Sequence, residues 1–274
     1  MTKQLNVGFI GGGNMAAALI GGMANKLTAA ANIHVVDISA DALQRLQSQF
    51  GVSVSSQIDA ALARCDVIVL AVKPQQMTDV VGQIKPYLQS QLILSIAAGI
   101  RAADLSRWLG GHEAIVRTMP NTPSLVGLGM TGMTAMRGVS AQQKEQAEAI
   151  MSAVGKTMWL EQESLLDAVT AISGSGPAYV FYFIEAMQQA AKEMGLTEAQ
   201  GTELAIETFR GAAQLAANSS EPVSVLRERV TSKGGTTFAA LTSMEASGVK
   251  EAIVRAAKAA AQRGQELGEE FGKD

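Results

Sequence analysis

The stretch Val7–Gly22, VGFIGGGNMAAALIGG, constrains the fold of this chain more than any other. A short apolar run leads straight into three consecutive glycines, and these lead into a segment made almost wholly of small or apolar side chains. The first part suits a strand covered on both faces, and the last part suits a helix packed closely on that strand. Within it, the spacing Gly11-x-Gly13-x-x-Ala16 puts one glycine at a tight turn and a second where an anion can reach the N–H groups of the helix N terminus. Ala16 falls where helix meets strand. A strand, a glycine turn and a helix in that order are the context in which this spacing marks a dinucleotide site.

The first half of the chain repeats the theme. LNVGFI, NIHVVD, DVIVLAV, QLILSIAAG and AIVRTMP alternate with helix-like segments, and GLGMTGMTA and GKTMWLE flank a helix expected over Ser140–Val154 with Ser140 as its N-cap. The expectation is an α/β domain over residues 1–162: a Rossmann-type, doubly wound sheet of parallel strands. From residue 163 to 274 alanine, glutamate, glutamine, leucine and methionine dominate, and an all-helical second domain is expected. Its helices are read over 164–172, 176–194, 197–217, 222–230, 236–247 and 249–270. AYVFYFIEAM is apolar around most of its circumference and is expected to be buried on several sides, another subunit included. SGSGPAY and TSKGGTT are read as loops, each leading into a helix.

Composition narrows the function. A net charge of −3 and a pI near 5.6 give no basic field for a phosphate backbone, so nucleic acid is not an expected partner. One cysteine, Cys65, rules out an intramolecular disulfide and favours a reducing compartment. MTKQLNVGFI does not read as a secretory leader, and the most apolar runs fall far short of the roughly 20 residues a membrane span needs, so a cytoplasmic protein with no membrane role is expected. Its two histidines, His34 and His112, stand in no metal-ligand pattern, and no metal is expected.

Candidate residues follow from where ligands collect in such sheets, outside the carboxyl ends of the strands. Asp37 ends the second strand, at about the distance beyond the glycines where an acid meets the adenosine ribose. Alone it argues for NADH, but Ser39 could donate to an extra phosphate or, like Asp41, cap the next helix, so NADPH and NADH both stay open. Val72, Lys73 and Pro74, then Ala97, Ala98 and Gly99, then Asn121, occupy further strand ends and could form the surface at the cofactor's reactive end. SKGGTT offers a row of N–H groups at a helix N terminus, suited to a small carboxylate. No general base stands nearby beyond Lys233, which fits reduction of an imine: a protonated C=N needs placing and orienting more than it needs a base.

Taken together, GFIGGGNM, AVKPQ, SIAAGI, MPNTP, SGSGPAYVF and TSKGGTT, in this order and covering nearly the whole chain, resemble the pyrroline-5-carboxylate reductase family. The resemblance implies NADPH- or NADH-dependent reduction of 1-pyrroline-5-carboxylate to L-proline, and a homodimer formed through the helical domains that in some members assembles further. Carried onto this sequence, it has Gly11, Gly12, Gly13, Asn14 and Met15 cradle the cofactor phosphates. Ser232, Gly235 and Thr236 would then hold the substrate carboxylate, and Thr237 would hydrogen-bond the ring nitrogen as the catalytic hydroxyl. Lys233 departs from the family pattern, where many members have proline. A β-hydroxyacid-type dehydrogenase is the alternative, disfavoured because the helix after SGSGP carries no lysine until Lys192.

Overall fold

Short apolar strands separated by amphipathic helices produce, in chain order, β1 (Val7–Ile10), α1 (Asn14–Met23), β2 (Ile33–Val36), α2 (Ala40–Phe50), β3 (Ser53–Ser55), β4 (Val67–Leu70), α3 (Met77–Ile84), β5 (Leu92–Ser95) and α4 (Ala102–Trp108). They are followed by β6 (Ile115–Met119), β7 (Gly129–Ala135), α5 (Ala141–Ser152), β8 (Gly155–Trp159) and α6 (Leu165–Val169). The computed structural model describes residues 5–273; residues 1–4 and 274, the outer ends of the two expected domains, lie outside the described residues. The chain divides into two compact units, one running to Ser175 and resuming at Ala260, the other spanning Gly176–Ala259.

The first unit is an eight-stranded sheet of order β3-β2-β1-β4-β5-β6-β7-β8. Alternate residues of its central strands feed two cores. Phe9, Val35, Val67, Val69 and Leu94 pack with α1, α2 and α5 on one face, while Ile10, Val36, Ile68, Leu70 and Ile93 pack with α3 and α4 on the other. This two-sided burial is why the strands read as unbroken apolar runs. Two features depart from the sequence expectation. β7 runs antiparallel to β6, because residues 120–128 are too short for the crossover of about a dozen residues that parallel strands require. β3, with its register His34↔Ser53 against β2, is a polar edge strand that no apolar pattern announces.

The Ser140 cap is present, as a capping box in which the Ser140 hydroxyl accepts from Gln143 N (3.2 Å) and the Gln143 side chain accepts from Ser140 N (3.0 Å). SGSG, in contrast, is not a loop. Residues Thr170–Gly174 form a π-helical turn that continues α6, closed by Ser175 N donating to Thr170 O (2.8 Å).

The second unit holds α7 (Gly176–Glu193), α8 (Glu198–Asn218), α9 (Val223–Arg229), α10 (Thr236–Ala246) and the start of α11 (Val249–Phe271), whose turns from Ala260 onward belong to the first unit. α7 and α8 pack through small residues: a Cβ on Gly201 would lie 2.9 Å from that of Ala191. Phe183 and Phe209 meet at 6.3 Å between ring centroids. Burial is otherwise sparse. Within one chain the AYVFYFIEAM segment is not covered on several sides, since Phe181 is 60% and Tyr182 73% exposed.

Candidate functional site

A cleft of about 630 Å³ opens at the carboxyl ends of β1, β2 and β4, and its lining includes Gly11, Gly13, Asp37, Ile38, Val72 and Lys73. It sits at the point where strand order reverses, between β1 and β4, which is where an open α/β sheet leaves room for a ligand. Gly11 has φ +103°, and a Cβ there would come within 2.5 Å of Ala71 O. Only glycine serves at that turn. Gly13 is a different case: it is the N-cap of α1 with φ −68°, no side chain caps it, and a Cβ would meet nothing within 4 Å. Gly13 and Asn14 are exposed and Met15 is half-buried.

The turn is anchored from below by Asp37. Its carboxylate accepts from Gly12 N (2.6 Å) and from Ser39 N (2.7 Å), tying the glycine turn to the end of β2. Arg45 Nη2 donates to Gly12 O at 3.4 Å, bringing a cation to the rim. Ser39 caps α2, its Oγ accepting from Ala42 N at 3.3 Å. An uncapped helix N terminus beside open space and a roomy cleft is what a dinucleotide pyrophosphate requires, and these residues fit one.

The other strand ends divide. Val72 and Lys73 line the cleft, whereas Pro74 does not, though Gln76, at the end of the short turn Pro74–Gln76, does. Ala97 belongs to the second core, and Ala98 is half-buried. Gly99, with φ +76°, lies beneath α11, where a Cβ would stand 3.2 Å from Leu267 and Phe271. Asn121 is engaged at both ends of its amide: Nδ2 donates to Ser173 Oγ (3.1 Å) and O (3.3 Å), and Oδ1 accepts from Met130 N (2.9 Å). It staples the π turn to the β6–β7 connection. Ser56, Gln57 and Ile58, which follow β3, also line the cleft. Sequence reasoning missed them together with the strand that positions them. Ile38 carried a signal that could have been read, an isoleucine set directly behind an acid at a strand end.

In the second unit α9 ends where Thr231 N donates to Glu228 O (2.9 Å), and the chain turns through Gly234, φ +75°, into α10. Gly235 N donates to Ser232 O (2.9 Å), and Gly235 is the N-cap of α10 with no side chain capping it. Ser232, Lys233 and Thr236 are exposed and Thr237 is half-buried. The result is an open helix N terminus flanked by hydroxyls, with the geometry to hold a small anion.

Elsewhere, burial pushes the Cys65 thiol up to about 11, which makes it a packing residue rather than a nucleophile. His34 donates to or accepts from Ser53 Oγ through Nδ1 (2.9 Å), and burial lowers its pKa. Among the described residues no group of three or more His, Cys, Asp or Glu is placed to hold a metal ion, and no helix is long and apolar enough to cross a membrane.

Comparison with known proteins finds two family models. One described as pyrroline-5-carboxylate reductase dimerisation matches residues 163–267, and one described as NADP oxidoreductase, coenzyme F420-dependent, matches residues 6–99. The chain is 45% identical to the pyrroline-5-carboxylate reductase of Pseudomonas aeruginosa over 268 residues, covering 97% of this chain and 98% of that one. Among solved structures, a pyrroline-5-carboxylate reductase from Coxiella burnetii is similar with TM-score 0.91 and 39% identity, covering 97% of this chain and 99% of that one. The Plasmodium falciparum pyrroline carboxylate reductase, with NADP bound, is similar with TM-score 0.87 and 32% identity, covering 98% of this chain and all of that one.

Proposed function

The chain belongs to the pyrroline-5-carboxylate reductase family, and we propose that its two units divide the work of reducing 1-pyrroline-5-carboxylate to L-proline, the first holding the dinucleotide and the second the substrate. The likeness to the Pseudomonas aeruginosa enzyme over nearly the whole of both chains supports the reaction. The observation that carries the division of work is that each unit offers one uncapped helix N terminus beside glycine, at Gly13 and at Gly235.

NADPH or NADH, when bound, supplies the hydride. Gly11 to Met15 hold its pyrophosphate on the α1 N terminus, and Val72 and Lys73 border its path over β4. Ala97, Ala98, Gly99 and Asn121 shape the neighbouring strand ends, with Asn121 acting through its bonds to Ser173 and Met130. At the second site, Ser232, Gly235 and Thr236 hold the substrate carboxylate through hydroxyls and N–H groups, and exposed Lys233 adds positive charge beside it. Thr237 hydrogen-bonds the ring nitrogen. Holding the imine by its carboxylate and its nitrogen fixes the carbon of the C=N bond in one orientation, which is the larger share of what such a reduction asks of a protein. The proton arrives with the iminium itself or from water.

The second unit leaves large apolar side chains uncovered on α7, α8, α9 and α10, with Phe181, Leu215, Val223 and Phe238 among them. That supports a homodimer closed through the helical unit; assembly beyond the dimer is left to measurement. A cytoplasmic setting belongs to the same reading, because the reaction consumes a reduced dinucleotide and the lone cysteine has no partner within the chain for a disulfide. The direct test follows oxidation of reduced nicotinamide on addition of 1-pyrroline-5-carboxylate, with proline measured as product. Turnover there and none with 3-hydroxy acids in the oxidative direction is the expected result, and the reverse would favour the hydroxyacid dehydrogenases.

A further inference from the structure

One wall of the cleft, Ser56, Gln57 and Ile58, is built on an exposed edge of the sheet. It leaves β3, a three-residue edge strand bonded to β2 alone, and runs into the short helical turn Ala60–Arg64. Its own hydrogen bonds are local: the Ser55 hydroxyl donates to Gln57 O (2.7 Å) and accepts from Gln57 N (3.2 Å). A segment of this kind opens at little cost unless something else in the fold holds it, because few contacts order it.

One imidazole reaches both ends of that segment. His34 stands on β2 opposite Ser53 in the β2–β3 register, with Nδ1 2.9 Å from Ser53 Oγ and Nε2 3.7 Å from Asp59 Oδ1. Ser53 precedes the wall and Asp59 follows it directly, its carboxylate also accepting from Ala61 N (2.7 Å) to cap the next turn. The His34 side chain is only 12% exposed, and Nε2 is buried with no hydrogen-bond partner, so the Asp59 carboxylate is the charge it faces. A carboxylate only accepts, which puts the ring proton on Nε2 and leaves Nδ1 to accept from the Ser53 hydroxyl. Burial lowers the pKa of His34, Asp59 opposing and Arg64 adding to the effect. A neutral ring has one donor and one acceptor to give, one for each end of the segment.

We propose that His34 is a positioning residue for dinucleotide binding: by holding Ser53 and Asp59 together it fixes the wall Ser56–Ile58 against which the adenosine half of the dinucleotide packs. This rests on the reading of the cleft as the dinucleotide site. The adenosine side is the one marked by Asp37 at the end of β2, and Asp37 N donates to Ser55 O (3.2 Å), so the wall begins beside it. His34 does not itself line the cleft and acts through the wall alone. A wall already in place spares the ligand the cost of ordering it, and that saving appears as affinity.

The test is calorimetric titration of the full chain with NADP⁺, which needs no turnover, joined to steady-state kinetics with NADPH. His34→Ala should weaken NADP⁺ binding about fivefold or more, the size expected when an ordinary hydrogen bond holding the wall is lost. KM for NADPH should rise in step, while kcat and the KM for 1-pyrroline-5-carboxylate stay near wild type, a split that a merely structural histidine would not produce. His34→Asn, which keeps a polar group near the Nδ1 position, and His34→Gln, which keeps one near Nε2, should each restore part of the affinity. The double variant Ser53→Ala with Asp59→Ser leaves the ring in place, keeps a capping hydroxyl before Ala60–Arg64 and should match His34→Ala, which keeps the test decisive if that variant fails to fold. Unchanged NADP⁺ affinity in the folded double variant overturns the proposal, as does a fall in kcat as large as the rise in KM for NADPH. The reductase reading is judged separately: wild type that binds NADP⁺ and makes no proline loses the reaction while the titrations still decide the role of His34, whereas wild type that binds no NADP⁺ loses both.

Discussion

Gly11 and Gly13 stand two positions apart in one motif, yet substitution should fail in opposite ways. Gly11→Ala forces a side chain into φ +103° and against Ala71 O, so its cost should appear as lost stability, on the order of 1–3 kcal/mol from backbone strain alone. Gly13→Val has φ −68° and open space around it. It should melt close to wild type and lose dinucleotide affinity more than about tenfold, because the added atoms stand where the phosphates need the N–H groups. Thermal melts and titrations of the two proteins, side by side, check both halves. Thr237→Ala should keep the fold and lower turnover on the order of tenfold to a hundredfold, matching the roughly 1.5–3 kcal/mol of a hydrogen bond to a charged group. Thr236→Ala should mainly raise KM. His34 gives a pH signature. Burial lowers its pKa from 6.5, so the unfolded chain takes up a proton first on acidification; this stability is fully present above about pH 6.5 and is lost as pH falls below it. His34→Gln should flatten that part of the pH–stability profile measured by denaturant titration. The glycine spacing was readable from sequence because steric demand leaves its mark on residue type. The second bond of Asp37 and both ends of Asn121 were not, since such partners are made by the fold and leave no local pattern.

At the level of elements, what could be read were those whose pattern is local. Both-faces apolar runs marked β1, β2, β4, β5 and β6, and Ser140 marked the start of α5 as its N-cap, to which the structure adds Gln143 as the partner that completes a capping box. β3 left no mark, being a three-residue edge strand of SVS whose register comes from β2. The direction of β7 came from the length of a connection rather than from the strand's own residues. The π turn at Thr170–Gly174 looked like a loop because serine and glycine usually break helices, and here tertiary bonds hold them in place. Asn121→Ala tests that account: it leaves Met130 N and the Ser173 groups without their partner and should lower stability by about 1–3 kcal/mol, read as an earlier unfolding transition.

For the whole molecule, the sequence showed an alanine-rich helical half, and the uncovered faces of α7 to α10 are the surface that the proposed homodimer would close. If the proposed homodimer forms through this surface, replacing Phe181 and Tyr182, 60% and 73% exposed, with glutamate should convert it to monomer in sedimentation velocity while the first unit keeps its dinucleotide affinity. The proposed site reads its substrate through two handles, the carboxylate at Ser232, Gly235 and Thr236 and the ring nitrogen at Thr237. The measurement that bears most directly on that claim is steady-state oxidation of NADH with 1-pyrroline-5-carboxylate and with 1-pyrroline, which keeps the C=N bond and lacks the carboxylate. The account predicts proline formed in step with NADH consumed, and a kcat/KM for 1-pyrroline lower by about a hundredfold or more, as expected when a charged hydrogen-bonded contact is lost. Equal efficiency with the two imines, or dinucleotide binding with no proline formed, would contradict it.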